Sequence, residues 1–197
     1  MATEKKLVHL ETLSDDSVIT RQFNSYVCLS VNVGGRSKAL PPLYWRLVDA
    51  QFNLVEIGIG RDSGSLESVK VVLYRGALYR MAPEQLDSLI ETTAGLPRFS
   101  LDLWSLPGGI YDVDSDYYDV PGRCKLEVAK TKLRVSLFPD RVAYRVAKPG
   151  LECEFNQSSE LCAILVDNLD SQEILALKKY IKLYNGTRDD EKSLAGR

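Results

Sequence analysis

The segment Leu54–Tyr74, LVEIGIGRDSGSLESVKVVLY, constrains the fold more than any other part of the chain. Apolar residues alternate with polar or small ones on both sides of a central Asp-Ser-Gly, and this period of two buries one face of each strand. Gly64 can adopt the positive φ that a tight turn requires. The segment therefore predicts a β-hairpin that forms part of the frame of a sheet.

Shorter segments with the same alternation lie on both sides of the hairpin. Tyr26–Val33, Leu43–Val48 and Phe99–Trp104 each predict a strand, and further strands follow closely from Lys125 onward. Leu161–Val166 is apolar on both faces, which is typical of a central strand. These segments indicate that most of the chain forms antiparallel sheet.

Two segments carry helix signals. Pro83–Glu91 predicts a short helix, because proline suits the first helical position and an apolar stripe follows it. The second helix begins after Asp170 as N-cap, with Glu173 placed to close a capping box, and Gly186 predicts its end. The expected fold class is α+β, mainly antiparallel β-sheet with a short middle helix and a C-terminal helix.

The chain has 197 residues, which fits one large domain or two small lobes that share a core. A long irregular stretch rich in proline, glycine, aspartate and tyrosine separates two halves of similar character. We expect a polar N-terminal arm over 1–24, a single α+β domain over 25–186 that can divide into two similar lobes (25–105 and 123–186) joined by the loop 106–122, and a mobile tail over 187–197.

Composition excludes several classes of function. The net charge of -2 gives no general attraction to nucleic acid or to anionic membranes. The N-terminus lacks the apolar region of a signal peptide, and no apolar run approaches the roughly 20 residues of a membrane span. The four cysteines have no metal-ligand spacing, so we expect free thiols and a cytoplasmic protein.

Catalytic patterns are weak. Ser63 in Asp-Ser-Gly resembles a serine nucleophile, but the chemistry needs a histidine base, and the only histidine is His9 in the polar arm. The Gly34–Lys38 segment lacks the spacing of a phosphate-binding loop. Glu152 and Glu154 share one strand face, as paired glycosidase acids can, but two acids on the solvent-exposed face of an edge strand are much commoner. We expect no enzyme activity, no cofactor and no metal site.

An acidic run in the irregular stretch has three interpretations. Asp112, Asp114 and Asp116 have a spacing that suits calcium, but the EF-hand positions for glycine and glutamate hold Tyr117 and Arg123. A solvated acidic loop, a weak divalent-cation site and a partner-binding loop all stay open. Tyrosines interleaved with carboxylates favour a contact surface for a basic protein. The residues predicted to bind a partner are Asp112, Asp114, Asp116, Tyr117, Tyr118 and Asp119.

The hairpin also resembles a segment of small bacterial immunity proteins, the antidotes to polymorphic toxins. In those proteins a strand with an acidic residue runs into an Asp…Gly turn, followed by a strand with a small polar residue and aliphatics. The matching residues here are Glu56, Asp62, Gly64, Ser68, Val69, Val71 and Leu73, and Glu160–Leu177 is similar to their closing strand and helix.

This resemblance implies a non-catalytic protein that inhibits a toxin stoichiometrically by binding it, inside the cell that produces both. Acidic side chains would then imitate the phosphates of a nuclease toxin's substrate. Two other classes stay open. A ligand-binding β-rich module needs a sizeable apolar pocket, and a small hydrolase needs convergent polar residues in a cleft.

Overall fold

The computed structural model describes residues 6–14, 16–34, 40–81, 90–104 and 116–194, with side chains described up to residue 185. These residues form fifteen strands, a 3₁₀ turn at Asp102–Trp104 and one α-helix. The elements are β1 (His9–Leu13), β2 (Ile19–Gln22), β3 (Leu29–Val33), β4 (Leu43–Val48), β5 (Leu54–Ile59), β6 (Leu66–Leu73), β7 (Leu78–Arg80), β8 (Glu91–Ala94), β9 (Leu96–Phe99), β10 (Tyr117–Pro121), β11 (Lys125–Val128), β12 (Leu133–Ser136), β13 (Tyr144–Lys148), β14 (Leu151–Phe155), β15 (Leu161–Val166) and α1 (Ser171–Leu194).

The first large sheet has six strands in the order β10-β4-β5-β6-β3-β2. The predicted hairpin forms its centre as β5 and β6, which pair antiparallel. Gly64 has a φ of 68° in the turn and lies so close to the Phe99 carbonyl that a Cβ would stand 2.4 Å from its oxygen. The hairpin prediction is therefore confirmed, together with the role of its glycine.

The second large sheet has seven strands in the order β7-β11-β12-β15-β14-β13-β8. All six residues of β15 are buried at the middle of this sheet, as the prediction of a central strand requires. Both large sheets are mixed, because β10 runs parallel to β4, β7 to β11 and β8 to β13. The fold is thus sheet-rich with a C-terminal helix, and its sheets combine antiparallel and parallel pairs.

The predicted N-terminal arm is wrong for residues 6–14 and 16–22, which contain two strands. Strand β2 is an edge of the six-stranded sheet, and β1 pairs with β9 in a two-stranded ribbon. Leu7 is 1% exposed, and its carbonyl accepts a hydrogen bond from the Leu161 amide. Backbone pairing with distant segments orders this stretch although its composition is polar.

Helix α1 begins as predicted. The Asp170 carboxylate accepts hydrogen bonds from the amides of Gln172 and Glu173, while Glu173 accepts one from the Asp170 amide. The helix continues through Gly186 to Leu194, so the predicted end is wrong. Its inner face includes the buried side chains of Leu177, Tyr180 and Ile181.

Some predicted elements lie outside the described residues, and others have a different secondary structure from the predicted one. The Gly34–Lys38 turn, the middle helix and the centre of the acidic loop lie largely or wholly outside the described residues. Glu91, the predicted last residue of that helix, begins β8. The strand predicted over Phe99–Trp104 is wrong, because β9 ends at Phe99 and the 3₁₀ turn follows.

The buried side chains of both large sheets, the ribbon and α1 form one hydrophobic cluster. Trp45 and Phe155 are among its largest fully buried members, one from each large sheet. Within the described part of the chain, no helix is long and apolar enough to cross a membrane.

Candidate protein-binding surface

Strand β10 places part of the predicted contact segment at an edge of the six-stranded sheet. It lies parallel to β4, and the Tyr44 amide donates a hydrogen bond of 2.7 Å to the Asp116 carbonyl. Alternation along the strand turns Tyr117 and Asp119 outward and Val120 into the core. We call the outward pair and its neighbours Tyr44 and Arg46 on β4 the β10 surface.

Arg46 organises this surface. Its guanidinium donates to both carboxylate oxygens of Asp119, with Nε–Oδ1 at 2.6 Å and Nη2–Oδ2 at 2.8 Å, and this bond raises the pKa of Arg46. The same group lies 4.2 Å from the centroid of the Tyr117 ring. Tyr117 also stacks on Tyr44, with centroids 5.3 Å apart. Tyr117 is therefore held between a cation and an aromatic ring while it stays 48% exposed.

The pairing continues across the sheet as a row of alternating charge. Asp119, Arg46, Glu56 and Lys70 lie opposite one another on four adjacent strands. Lys70 Nζ donates to Glu56 Oε1 at 3.0 Å. Opposite charges that face each other across strands stabilise both the pairing and its register. The outer face of the sheet thus presents an ordered charge pattern beside an exposed tyrosine.

A glycine lies between Tyr44 and Ser68 on this face of the sheet. Gly58 pairs with Tyr44 on one side and with Ser68 on the other. A Cβ at Gly58 would lie 2.4 Å from Ser68 Oγ, whereas its distance of 3.5 Å from Tyr44 Cε1 would be an ordinary van der Waals contact. The glycine therefore leaves room for the Ser68 side chain.

The structure separates the six predicted contact residues. Asp112 and Asp114 lie outside the described residues. Asp116 forms an ion pair with Arg61, and Asp119 is bound by Arg46. Tyr118 faces the opposite way, with its ring packed edge-on against Trp104 at 6.2 Å. Of the six residues, Tyr117 and Asp119 therefore lie together on the outward side of this edge, and Asp116 lies just before the strand with its carboxylate on Arg61.

Sequence reasoning missed the β4 side of the surface. The alternation in Leu43–Val48 places Tyr44 and Arg46 on the polar face of a strand, so their position could have been predicted from the sequence. The strand that pairs with this one could not have been predicted, because β10 lies more than sixty residues away along the chain. Arg61, which pairs with Asp116, likewise carries no sequence signal of this contact.

The expectation for Glu152 and Glu154 is wrong, because they lie on an interior strand of the seven-stranded sheet. Glu154 is 2% exposed and accepts hydrogen bonds from Arg134 Nε at 2.8 Å and Arg145 Nη2 at 2.7 Å. Arg134 also donates to Glu127 at 2.9 Å. These four side chains form a buried charged network in which every carboxylate has a cationic partner.

His9 and Ser63 lie apart and have separate structural roles. His9 Nδ1 is 2.9 Å from the Tyr144 hydroxyl, and its ring stacks on Phe155. Ser63 Oγ is 2.6 Å from Ser65 Oγ and accepts the Ser65 amide within the hairpin turn. The arrangement expected of a serine nucleophile and its base is therefore not formed by these two residues.

The four cysteines are free thiols. Burial raises the pKa of Cys28 and Cys124 to about 12 and that of Cys162 to about 11, and it also raises the pKa of Cys153. A thiol with a raised pKa is a poor nucleophile and metal ligand at neutral pH. Among the described residues, no group of three or more His, Cys, Asp or Glu could hold a metal ion.

An open cleft of about 620 Å³ lies where the chain passes from β10 to β11. Its lining includes Glu127 and Arg134 of the charged network and Ser136, which donates a hydrogen bond to Glu127, and Phe138 contributes apolar surface. Arg123 stands exposed at its rim. The cleft therefore combines one apolar wall with charged groups.

In comparisons with known proteins, no family model matches this chain and no curated protein sequence matches it.

Proposed function

We propose that this chain is a non-catalytic protein-binding protein, and that it acts as an immunity protein that neutralises a cognate bacterial toxin by direct binding. The toxin would be bound in the cytoplasm of the cell that makes both proteins. The observation that carries the proposal is the exposed ring of Tyr117, which Arg46 and Tyr44 hold in place on the β10 surface.

A tyrosine in this setting is suited to anchor a partner. Its ring offers a large apolar area and one hydroxyl, and such residues dominate the energy of many interfaces. Ordering a side chain on binding costs about 0.5–1.5 kcal/mol, and contacts that already restrict Tyr117 reduce this cost. The β10 surface would therefore bind with little rearrangement.

On this proposal, the acidic residues of the β10 surface do more than attract a basic partner at long range. Asp116 and Asp119 already have arginine partners, so most of their field is compensated locally. A toxin surface of alternating charge would match the row from Asp119 to Lys70. On this proposal Tyr117 supplies affinity, while the charged row selects the partner and its orientation.

The test is co-expression with the product of a toxin-bearing gene that neighbours the gene for this chain. The intact chain is expected to restore growth and to form a stable complex with the toxin domain in calorimetry. Tyr117→Ala is expected to weaken that complex by about tenfold or more, because it removes the aromatic anchor.

Tyr79→Ala is the matched control. Tyr79 is 47% exposed on an edge strand and lies under a lysine, with Lys125 Nζ 4.8 Å from its ring centroid. Its loss should leave toxin affinity within about twofold. Equal losses for both variants would contradict the β10 surface, and failure of the intact chain to bind or to restore growth would contradict the immunity function.

The cleft favours a second candidate, a ligand-binding β-rich module. Its volume lies within the range of small-molecule sites, and it has both an apolar wall and convergent polar groups. Native mass spectrometry of the purified protein tests this function. A small molecule bound at one copy per chain, and lost on Phe138→Ser substitution, would favour it over toxin binding.

A further inference from the structure

A groove between α1 and the β11–β12 turn is separate from the surfaces described above. It has a volume of about 580 Å³. Buried Leu169 and half-buried Ile174 are among its lining residues, and Leu175 is 45% exposed. Lys130 contributes from the turn and Lys178 from the helix, and none of the lining residues is acidic. The groove is thus an apolar recess with positive charge.

Its walls are fixed by backbone hydrogen bonds. The Leu169 amide donates to the Thr131 carbonyl at 2.9 Å, which ties the segment before the helix to the turn. The Ala129 amide donates to the Lys132 carbonyl at 2.8 Å and closes the turn itself. The capping box fixes the start of the helix on the other side. A recess that is formed before binding costs little free energy to fill.

Lys130 and Lys178 are the charged residues among those that line the groove, and both are exposed. The neighbouring carboxylates are already bound, because Asp170 accepts the amides of Gln172 and Glu173, and Glu173 pairs with Arg21 at 2.7 Å. Positive charge beside exposed apolar surface attracts a partner that combines carboxylates with an apolar side chain.

We propose that this groove binds an acidic peptide segment of a protein partner, which inserts an apolar side chain against Leu169, Ile174 and Leu175. Carboxylates that flank this side chain would pair with Lys130 and Lys178. A recess accepts an inserted side chain, whereas an anionic membrane requires a protruding apolar face, and this geometry favours a peptide. The proposal does not depend on toxin binding at the β10 surface.

Fluorescence anisotropy with a labelled peptide of glutamate and leucine at helical spacing tests the proposal. The full-length protein is expected to bind this peptide saturably, and added salt should weaken the binding. A peptide with glutamine at every glutamate position should bind about tenfold more weakly or worse. Absence of saturable binding, or equal binding of the two peptides, would overturn the proposal.

Two pairs of variants locate the site. Leu175→Gln and Lys178→Glu should each reduce affinity by about tenfold, because they remove an apolar contact and reverse a charge of the groove. Leu183→Gln and Lys179→Glu make the same changes on exposed positions of the same helix outside the groove, and should change affinity by less than about threefold. Equal effects of Leu175→Gln and Leu183→Gln, or of Lys178→Glu and Lys179→Glu, would contradict the assignment.

Other occupants are distinguished by parallel measurements. Binding of vesicles that contain phosphatidylserine without binding of the acidic peptide would replace the proposal with a membrane surface. Self-association in sedimentation velocity that Leu175→Gln abolishes would assign the groove to a second copy of the chain. The proposal is supported if the protein binds the peptide, sediments as a monomer and does not bind the vesicles.

Discussion

His9 shows how the single histidine of the chain serves the fold. Its Nδ1 lies 2.9 Å from the Tyr144 hydroxyl, its Nε2 lies 3.3 Å from Thr12 Oγ1, and its ring stacks on Phe155. Burial lowers the pKa of His9 below its ordinary value. The folded protein therefore favours the neutral ring, which packs among aromatic side chains at the junction of the ribbon with β13 and β14.

The lowered pKa predicts how stability depends on pH. A histidine whose pKa is lower in the folded state stabilises the fold fully above its unfolded pKa of about 6.5, and this stabilisation is lost as pH falls through the folded pKa. The free energy of unfolding should therefore decrease as pH falls below about 6.5. His9→Phe should flatten this dependence, as urea titrations at several pH values can measure. An unchanged pH profile in the variant would show that other groups cause it.

Single residues were predictable where the signal is local. Gly64 in the turn and the Asp170–Glu173 capping box follow from a few adjacent residues, and both are confirmed. The environment of Glu154 was not predictable, because its partners Arg134 and Arg145 come from other strands. Alternation in β14 indicates that Glu152 and Glu154 share a face, but it does not indicate what covers that face.

At the scale of elements, the buried network joins four strands through charged side chains. Arg134 on β12 reaches past β15 to Glu154 on β14, and Arg145 on β13 binds the same carboxylate. On β15, Ala163 lies directly opposite Glu154. A small side chain at this position leaves space for the arginine to cross the strand. The network thus fixes the order and register of the strands at the centre of the sheet.

Breaking the network should destabilise the protein strongly. Glu154→Gln removes the negative charge that Arg134 and Arg145 share, and each arginine side chain is only 10% exposed. In the variant Arg134 keeps its bond to Glu127, and the remaining carboxylate near Arg145 is that of Glu152, with Nε and Oε2 3.9 Å apart. Loss of one partner of a buried ion pair typically costs about 3–5 kcal/mol, so the free energy of unfolding should fall by up to about that amount. Chemical denaturation monitored by circular dichroism measures the change.

Glu11→Gln provides the control for this prediction. Glu11 pairs with Arg98 at 2.6 Å, but both side chains are about half exposed. Loss of an exposed ion pair should cost less than about 1 kcal/mol. Equal destabilisation by the two substitutions would mean that burial of the network does not determine its contribution.

At the scale of the whole molecule, the two halves of the chain exchange strands. Strands β7 and β8 lie between β6 and β9 in the sequence, yet they form the two edges of the seven-stranded sheet. Strand β10 belongs to the predicted connecting loop, yet it pairs with β4 in the six-stranded sheet. The predicted lobes 25–105 and 123–186 therefore contribute to common sheets.

This exchange could not be predicted from the sequence, although most individual strands could. β8 reads ETTA and has no apolar alternation, and β10 contains Pro121 and only one fully buried residue. Both strands pair parallel with partners that are distant in sequence, where no turn signal sets the register. Hairpins such as β5–β6 could be predicted because the two strands and their turn are continuous in the chain.

The exchange of strands predicts that the molecule unfolds as one cooperative unit. One hydrophobic cluster spans both large sheets, so neither half can lose its structure without exposing the apolar surface of the other. Urea unfolding followed by tryptophan fluorescence and by far-UV circular dichroism should give coincident single transitions. Trp45 lies in the six-stranded sheet and Trp104 packs against Tyr118 of its edge strand, so fluorescence reports on this sheet, whereas circular dichroism reports on all strands.

Fragments 1–104 and 122–197 expressed alone should lack this transition, because each lacks strands of its own sheet. Two separated transitions in the intact chain, or a cooperatively folded isolated fragment, would instead establish two independent lobes.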